Sequence, residues 1–276
     1  MARRDLRIAL VSIEGTCNDE ELRVALSTLG ARAEIVALKQ FEGREVEPDA
    51  RRRIADYDVL FFPGGFSAGD HVRAGAIFAA RVRASVGPEL EEFVRSGHLV
   101  GGVCNGFQVL VELGLLPGVP GGHLSTPQAV LLTNDSGHHE CRPTFLSWEG
   151  GAFPALRGTP KGTRYMFPSS HTEGKLVLGG DPASRLRELD AAGQVLFRWV
   201  TPDGQPATYP WNPNGSEGNV AGLTNPEGNV FGLMPHPERS FFRAQTPDWT
   251  RHGGPQGFGD GHRFLDAVLD HAERSR

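Results

Sequence analysis

The chain has 276 residues, a formal net charge of −5 and 39% hydrophobic residues. It is long enough to bury a substantial core, and its small negative charge argues against a basic surface that binds nucleic acid. No apolar run is long enough to cross a membrane, and the N-terminus lacks the apolar region of a signal peptide. Cys17, Cys104 and Cys141 show neither a disulfide framework nor zinc-ligand spacing. We therefore expect a cytoplasmic protein with no metal and with no nucleic-acid or membrane partner.

Strand-like and helix-like segments alternate in the first half of the chain. Apolar runs predict strands at residues 7–11, 33–38, 57–62 and 99–103. Helices are predicted from Asn18 or Asp19 to Gly30, and from Pro88 to Gly97. This alternation favours a parallel sheet, in which ligands bind at the carboxyl ends of the strands.

The second half is richer in glycine and proline, which concentrate after residue 117. Short strands are predicted at 144–148, 175–178, 195–200, 220–224 and 230–234, and a last helix at about 263–272. We expect these elements to form a smaller antiparallel β region that completes a single domain spanning residues 1–276.

Cys104 has the sequence surroundings of a nucleophile. It separates the apolar run 99–103 from the amphipathic run 108–113, and glycines stand two residues before and after it. This pattern is typical of a sharp strand-to-helix turn, where glycines leave room for a strained backbone. The N-terminus of the following helix favours the thiolate. A buried thiol in an ordinary turn fits this segment equally well, so other segments must decide between the two.

A cysteine nucleophile needs a base and a group that orients the base. His236 follows an apolar strand in a proline-rich loop, and Glu238 lies two residues on, where an extended segment points it to the same side. The carboxylate can then fix the tautomer of the imidazole. A surface His-Pro-Glu turn is the plain alternative. Three other histidines, His138, His139 and His171, also lie near polar loops, and the pair 138–139 lacks the further ligands of a metal site.

A glycine pair follows the third predicted strand. Gly64 and Gly65 would let backbone N–H groups approach a developing oxyanion, with the N–H of Asn105 as a second donor. A turn that requires a positive φ explains the same glycines.

Several strings resemble class I (triad) glutamine amidotransferases and, among them, the glutaminase subunits of phosphoribosylformylglycinamidine synthase. They are residues 63–77 (PGGFSAGDHVRAGAI), 102–117 (GVCNGFQVLVELGLLP), 141–143 (CRP), 214–216 (NGS), 220–222 (VAG), 228–230 (GNV) and 234–239 (MPHPER). These strings occur in the same order as in the family, and the resemblance covers most of the chain. The resemblance implies an α/β fold with a mostly parallel, flavodoxin-like central sheet flanked by helices.

The resemblance also implies a Cys-His-Glu triad that hydrolyses L-glutamine. Cys104 would attack the side-chain carboxamide, His236 would pass a proton to the leaving ammonia, and Glu238 would orient His236. Water would then hydrolyse the thioester. The residues implied to bind substrate or the oxyanion are Gly64, Gly65, Phe66, Asn105, Gln108, Ser170, His171 and Thr172.

The partners follow from the same resemblance. Ammonia would pass to the large synthase subunit (PurL), with a small subunit (PurS) in the assembly, and formylglycinamide ribonucleotide would become the amidine in purine synthesis. ATP and Mg²⁺ are expected on the synthase subunit, and no cofactor is expected on this chain.

The sequence departs from the family pattern in three places. Residues 16–19 read Thr-Cys-Asn-Asp where family members often have Ser-Asn-Cys-Asp, and Thr172 replaces the glycine of an Ala-His-Gly-Glu-Gly string. The chain is also longer than the short bacterial form, with extra residues near 150–167 and 253–260 that would affect docking on its partners.

Three alternatives remain. A glutaminase of another synthase (for GMP, CTP, anthranilate or imidazole glycerol phosphate) is disfavoured by the strings around Phe66 and Cys104. A cysteine-dependent protein of the DJ-1/PfpI superfamily would lack the late His-Pro-Glu. A catalytically silent docking subunit would not need Cys104, His236 and Glu238 intact.

Overall fold

The computed structural model describes residues 3–251 and 254–275. The strands are β1 (Arg7–Ser12), β2 (Arg32–Ala37), β3 (Val59–Phe62), β4 (Leu99–Val103), β5 (Ala129–Leu132), β6 (Glu140–Trp148), β7 (Arg164–His171), β8 (Lys175–Leu178), β9 (Val195–Val200), β10 (Val220–Thr224) and β11 (Val230–Leu233). The α-helices are α1 (Asp19–Thr28), α2 (Leu38–Glu42), α3 (Ala76–Arg95), α4 (Asn105–Glu112), α5 (Pro182–Ala191) and α6 (Asp260–Arg274).

A nine-stranded sheet runs through the described part of the chain in the order β2-β1-β3-β4-β11-β10-β9-β6-β7. The strands from β2 to β11 are parallel, whereas β10, β9, β6 and β7 pair antiparallel. Strands β5 and β8 form a separate antiparallel pair. The predicted α/β class, with a parallel sheet and a smaller antiparallel region, is confirmed. The antiparallel strands belong to the same sheet as the parallel ones, because β11 pairs with β4 on one side and with β10 on the other.

The parallel strands β1, β3, β4 and β11 are buried along almost their whole length, as expected of strands covered on both faces. The parallel edge strand β2 is mostly half-buried. Helix α1 packs with α6, and α3 packs with α2 and α4. Phe264 of α6 contacts the rings of Tyr165, Phe167, Phe197 and Phe231, which come from three different strands. The last helix therefore joins the parallel and antiparallel parts of the sheet in one core.

The predicted helix start at Pro88 is wrong. Helix α3 begins at Ala76, and Pro88 lies inside it, after a break at Val86 with φ −134° and ψ 19°. Pro88 lacks an N–H and so resembles a helix-start residue, but here it restarts a helix after a kink. Strands β5 and β7 and helices α2 and α5 were not predicted, although β5 is an apolar run of four residues. Strand β7 occupies part of the segment near 150–167 noted above.

Candidate active site

Cys104 stands at a strained turn between β4 and α4. Its φ is 52° and its ψ −108°, a conformation that a non-glycine residue rarely adopts. A Cβ at Gly102 would lie 2.6 Å from the carbonyl oxygen of Gly106, and a Cβ at Gly106 would lie 1.8 Å from that of Phe62. Both glycines are therefore needed for the close approach of α4 to the sheet. The geometry is that of a nucleophile elbow, with the cysteine buried at its apex.

His236 reaches the same edge of the sheet from the neighbouring strand. β11 lies beside β4 in parallel, with Leu233 opposite Val103, and the N–H of Cys104 donates to Leu233 O at 2.8 Å. His236 Nδ1 lies 2.6 Å from Glu238 Oε1, and both side chains are 1% exposed. The structure thus brings Cys104, His236 and Glu238 together.

The charges around His236 favour its protonated form. Burial lowers the pKa of His236, but the negative charges of Glu238 and Cys104 outweigh burial and raise that pKa to about 10. The Nε2 atom of His236 has no hydrogen-bond partner among the described residues. With Nδ1 held by Glu238, Nε2 is the nitrogen able to exchange a proton with the sulfur or with a leaving group.

The glycine pair lies against His236. A Cβ at Gly64 would be 2.8 Å from His236 Cε1 and 2.9 Å from Asn18 Oδ1, and Gly65 has φ 149°. The N–H groups of Cys17 and Asn18 donate to Gly64 O at 3.3 and 3.1 Å. The exchanged order of Cys17 and Asn18 therefore leaves Cys17 exposed and places the Asn18 amide at the glycine pair.

Within the described part of the chain, two backbone N–H groups near Cys104 have no backbone acceptor. Phe66 N–H donates to Gly15 O at 2.9 Å, whereas no backbone acceptor within residues 3–251 and 254–275 pairs with the N–H of Gly65. Asn105 is the first residue of α4, so its N–H has no acceptor inside the helix. The Phe66 ring is half exposed beside this loop. Gly65 and Asn105 can thus offer an oxyanion two N–H groups.

Residues 170–174 form the opposite wall. Cys104 Sγ lies 3.5 Å from Ser170 O, and Gln108 Nε2 donates to Glu173 O at 2.5 Å. Asn105 Nδ2 donates to Gln108 Oε1 at 3.0 Å. The buried Gln108 therefore joins α4 to this wall and holds the wall beside Cys104.

The Thr172 side chain faces a histidine, at the position where the family pattern has glycine. His139 Nδ1 lies 3.2 Å from Thr172 Oγ1, and His139 Nε2 lies 3.2 Å from Ser170 Oγ. Thr172 O accepts the N–H of Asn134 at 2.8 Å. Thr172 is therefore held on both its side chain and its backbone.

Three further residues of this region were not among those predicted to bind substrate or the oxyanion. Asp70 Oδ1 accepts from Asn105 Nδ2 at 3.4 Å, and burial together with the charge of Glu173 raises the pKa of Asp70 to about 6. Glu173 accepts the N–H of Ala74 at 3.0 Å, and Asn214 Nδ2 lies 3.1 Å from His171 Nε2. Asp70, Glu173 and Asn214 stand inside the quoted strings or beside them, but no local pattern gives their contacts.

A wide groove has a lining that does not include Cys104, His236 or Glu238. Its volume is about 940 Å³, and its lining includes Phe145, Met166, Trp211, Arg243 and Phe258. None of the predicted site residues lines it. Part of the extra segment near 253–260 borders this groove, and residue 253 lies outside the described residues.

No group of three His, Cys, Asp or Glu side chains in the described ranges is placed to hold a metal ion. No α-helix in the same ranges combines the length and the apolar character needed to span a bilayer.

Comparisons with known proteins agree on one family. The model of the CobB/CobQ-like glutamine amidotransferase domain matches residues 5–267. The phosphoribosylformylglycinamidine synthase subunit PurQ of Archaeoglobus fulgidus is 44% identical over 99% of this chain and 100% of that protein. The same subunit from Picrophilus torridus is 41% identical over 87% of this chain and 89% of that protein. Among solved structures, a chain of PurLQS from Thermotoga maritima matches 96% of this chain and 98% of its own length with a TM-score of 0.68 and 30% identity.

Proposed function

The chain belongs to the CobB/CobQ-like glutamine amidotransferase family, and we propose from this that it is the glutaminase subunit of a phosphoribosylformylglycinamidine synthase. It hydrolyses L-glutamine to glutamate and ammonia. The ammonia is consumed in the conversion of formylglycinamide ribonucleotide to the amidine in purine synthesis. The observation that carries the proposal is the buried His236–Glu238 pair beside Cys104 at an elbow turn.

The geometry supports a thioester mechanism. The Cys104 thiolate attacks the carboxamide carbon, and the N–H groups of Gly65 and Asn105 receive the developing oxyanion. When the tetrahedral intermediate collapses, the C–N bond breaks and His236 Nε2 gives its proton to the departing ammonia. His236, now neutral, takes a proton from water, which attacks the thioester and releases glutamate and the thiolate. Glu238 holds the imidazole through Nδ1 in both steps.

The other residues of the region bind and shape the substrate site. Gln108 and residues 170–172 form one wall of this site, and Gly64 and Phe66 form the loop opposite. PurL and PurS are the proposed protein partners, with ATP and Mg²⁺ bound by the large subunit and no cofactor on this chain. We place the protein in the cytoplasm. We also propose that it forms one domain, which the continuous nine-stranded sheet supports.

Covalent labelling tests the nucleophile. Acivicin is an electrophilic glutamine analogue, so it should modify one cysteine of the chain, and peptide mapping by mass spectrometry should locate it at Cys104. Excess glutamine should protect against labelling. Modification at the exposed Cys17 or Cys141, unaffected by glutamine, would contradict the assignment.

Cys104→Ser tests the function with the synthase subunits present. Loss of the thiolate should lower glutamine-dependent amidine formation by at least about 1000-fold, because the hydroxyl is a weak nucleophile. Ammonia-dependent formation should persist. Cys141→Ser, at an exposed strand position, is the matched control and should keep both activities. Loss of both activities in Cys104→Ser would mean that Cys104 is structural.

A further inference from the structure

The string 214–216 has no part in the thioester mechanism, yet it is built against the catalytic site. The backbone N–H of Ser216 donates to Asn214 Oδ1 at 3.0 Å, and the Ser216 hydroxyl lies 2.7 Å from the same oxygen. A backbone N–H can only donate, so Asn214 Oδ1 is the acceptor and its amide nitrogen is the atom that faces His171.

This orientation determines which nitrogen of His171 carries the proton. Asn214 Nδ2 lies 3.1 Å from His171 Nε2, and an amide nitrogen can only donate. His171 Nε2 must therefore accept, and the proton lies on Nδ1. Burial, with the charges of His236 and His139, lowers the pKa of His171 to about 3, so the ring is neutral at pH 7.

The Nδ1–H of His171 lacks an acceptor. The side chain is 3% exposed, and Nδ1 has no hydrogen-bond partner among the described residues. A buried donor without a partner is unfavourable for the folded protein. The opposite edge of the ring is tightly enclosed, because a Cβ at Gly174 would lie 2.2 Å from His171 Cδ2. The preceding residue, Ser170, offers its carbonyl oxygen to Cys104 Sγ at 3.5 Å, so the unpaired donor stands at the wall of the catalytic site.

We propose that Asn214 is a positioning residue for glutamine: locked by Ser216, it keeps the His171 proton on Nδ1, from which His171 donates to an oxygen of the bound substrate. This inference rests on the proposed glutaminase function and gives the string 214–216 a role in substrate affinity. Bound glutamine supplies the acceptor that the described residues do not.

The tautomer can be measured without turnover. In ¹⁵N-labelled protein, the imidazole shifts of His171 should show a protonated Nδ1 and an unprotonated Nε2. In Asn214→Ala, the proton should move in large part to Nε2, because nothing then donates to that nitrogen. A wild-type ring protonated on Nε2, or an unchanged tautomer in the variant, would overturn the proposal.

Kinetics with the synthase subunits present test the consequence. Asn214→Ala should raise the KM for glutamine about tenfold and change kcat by less than about threefold, as expected for lost ground-state binding. Asn225→Ala removes another buried asparagine, in the turn between β10 and β11, and is the matched control. It should lower the melting temperature without changing the KM. An equal KM change in the two variants would show a general loss of structure and would refute the role of Asn214.

Substitutions of His171 separate positioning from packing. In His171→Asn the new amide nitrogen can lie near the position of Nδ1, whereas in His171→Gln it lies near that of Nε2. His171→Asn should therefore have the lower KM for glutamine of these two variants. Asn214→Ala should add little to the KM of His171→Asn, since it acts through the imidazole. A KM for His171→Gln below that of His171→Asn would count against the proposal. So would an equal effect of Asn214→Ala on the KM of the wild type and on the KM of His171→Asn. A wild-type complex that hydrolyses no glutamine would instead overturn the proposed function.

Discussion

Single residues at this site have a strained backbone or buried polar atoms without hydrogen-bond partners among the described residues. Cys104 holds a positive φ, and buried atoms of His236 and His171 lack partners within the described part of the chain. Such features cost stability in the unliganded protein and are typical of places where a ligand or a reaction uses them. They lie around the same edge of the sheet, where in the proposed mechanism a substrate amide would meet the sulfur, the imidazole and the N–H groups of Gly65 and Asn105.

The pKa of His236 predicts how stability depends on pH. Its value in the folded protein, about 10, lies above the unfolded value of 6.5. The contribution of protonated His236 to the free energy of unfolding is therefore fully present below pH 6.5 and is lost as the pH rises through about 10. Urea denaturation of the wild type should show a falling free energy of unfolding over this range.

Glu238→Gln is the comparison, because the neutral amide no longer raises the pKa of His236. Its free energy of unfolding should fall less steeply between pH 6.5 and pH 9.5 than that of the wild type. Groups elsewhere titrate alike in both proteins, so the difference between the two slopes reports this pair. Parallel slopes would contradict the raised pKa.

At the scale of elements, the junction of β4 and α4 sets the geometry. Local sequence identified this junction correctly, because adjacent glycines and an apolar strand act over a few residues. It misplaced the start of α3, because a proline preceded by a kink has the same local pattern as a proline that begins a helix. It gave no signal for β7, whose Pro168 and polar Ser169 and Ser170 interrupt the apolar pattern.

Gly106→Ala tests this junction. The added Cβ would lie 1.8 Å from Phe62 O, a backbone atom, so α4 must move from the sheet. We expect a loss of stability on the order of 3 kcal/mol and a loss of glutaminase activity, since the elbow moves with the helix. In Gly87→Ala the Cβ would meet only Leu124 Cδ1 at 3.4 Å. This control should change stability by less than about 1 kcal/mol, and equal melting temperatures for both variants would refute the packing argument.

At the scale of the whole molecule, the sheet curls back on its own catalytic edge. β7 lies at the end of the sheet, several strands from β4, yet Ser170 O lies 3.5 Å from Cys104 Sγ. Pro168 O, also in β7, accepts the N–H of His236 at 2.8 Å. The antiparallel half of the sheet therefore supplies a wall beside Cys104 and His236, the proposed nucleophile and base, which the parallel half positions.

The proposed assembly predicts coupled turnover. Ammonia released to water would be wasted, so glutamate release should be low for the isolated chain. It should rise at least about tenfold when the synthase subunits, ATP and nucleotide substrate are present. Glutamate release measured in the two states gives the comparison, with Cys104→Ser as the background. Equal turnover in both states would refute the coupling.

The sequence by itself determined the fold class and the positions of the turn at Cys104 and of the glycine pair, because these depend on residue types a few positions apart and on the alternation of strands with helices. Local residue types left the chemical role of each turn open. The strings around Cys104 and His236 also indicated the family that the comparisons found. Residue types alone left several histidines open, and the family resemblance selected His236. The tertiary structure gives the physical reason for its position, since β11 pairs with β4. Tertiary structure was also needed to place Asp70 and Asn214 at the site and to show how residues 170–174, which the resemblance had assigned to it, reach Cys104. Strand order and curl arise from contacts between distant parts of the chain that no local pattern contains.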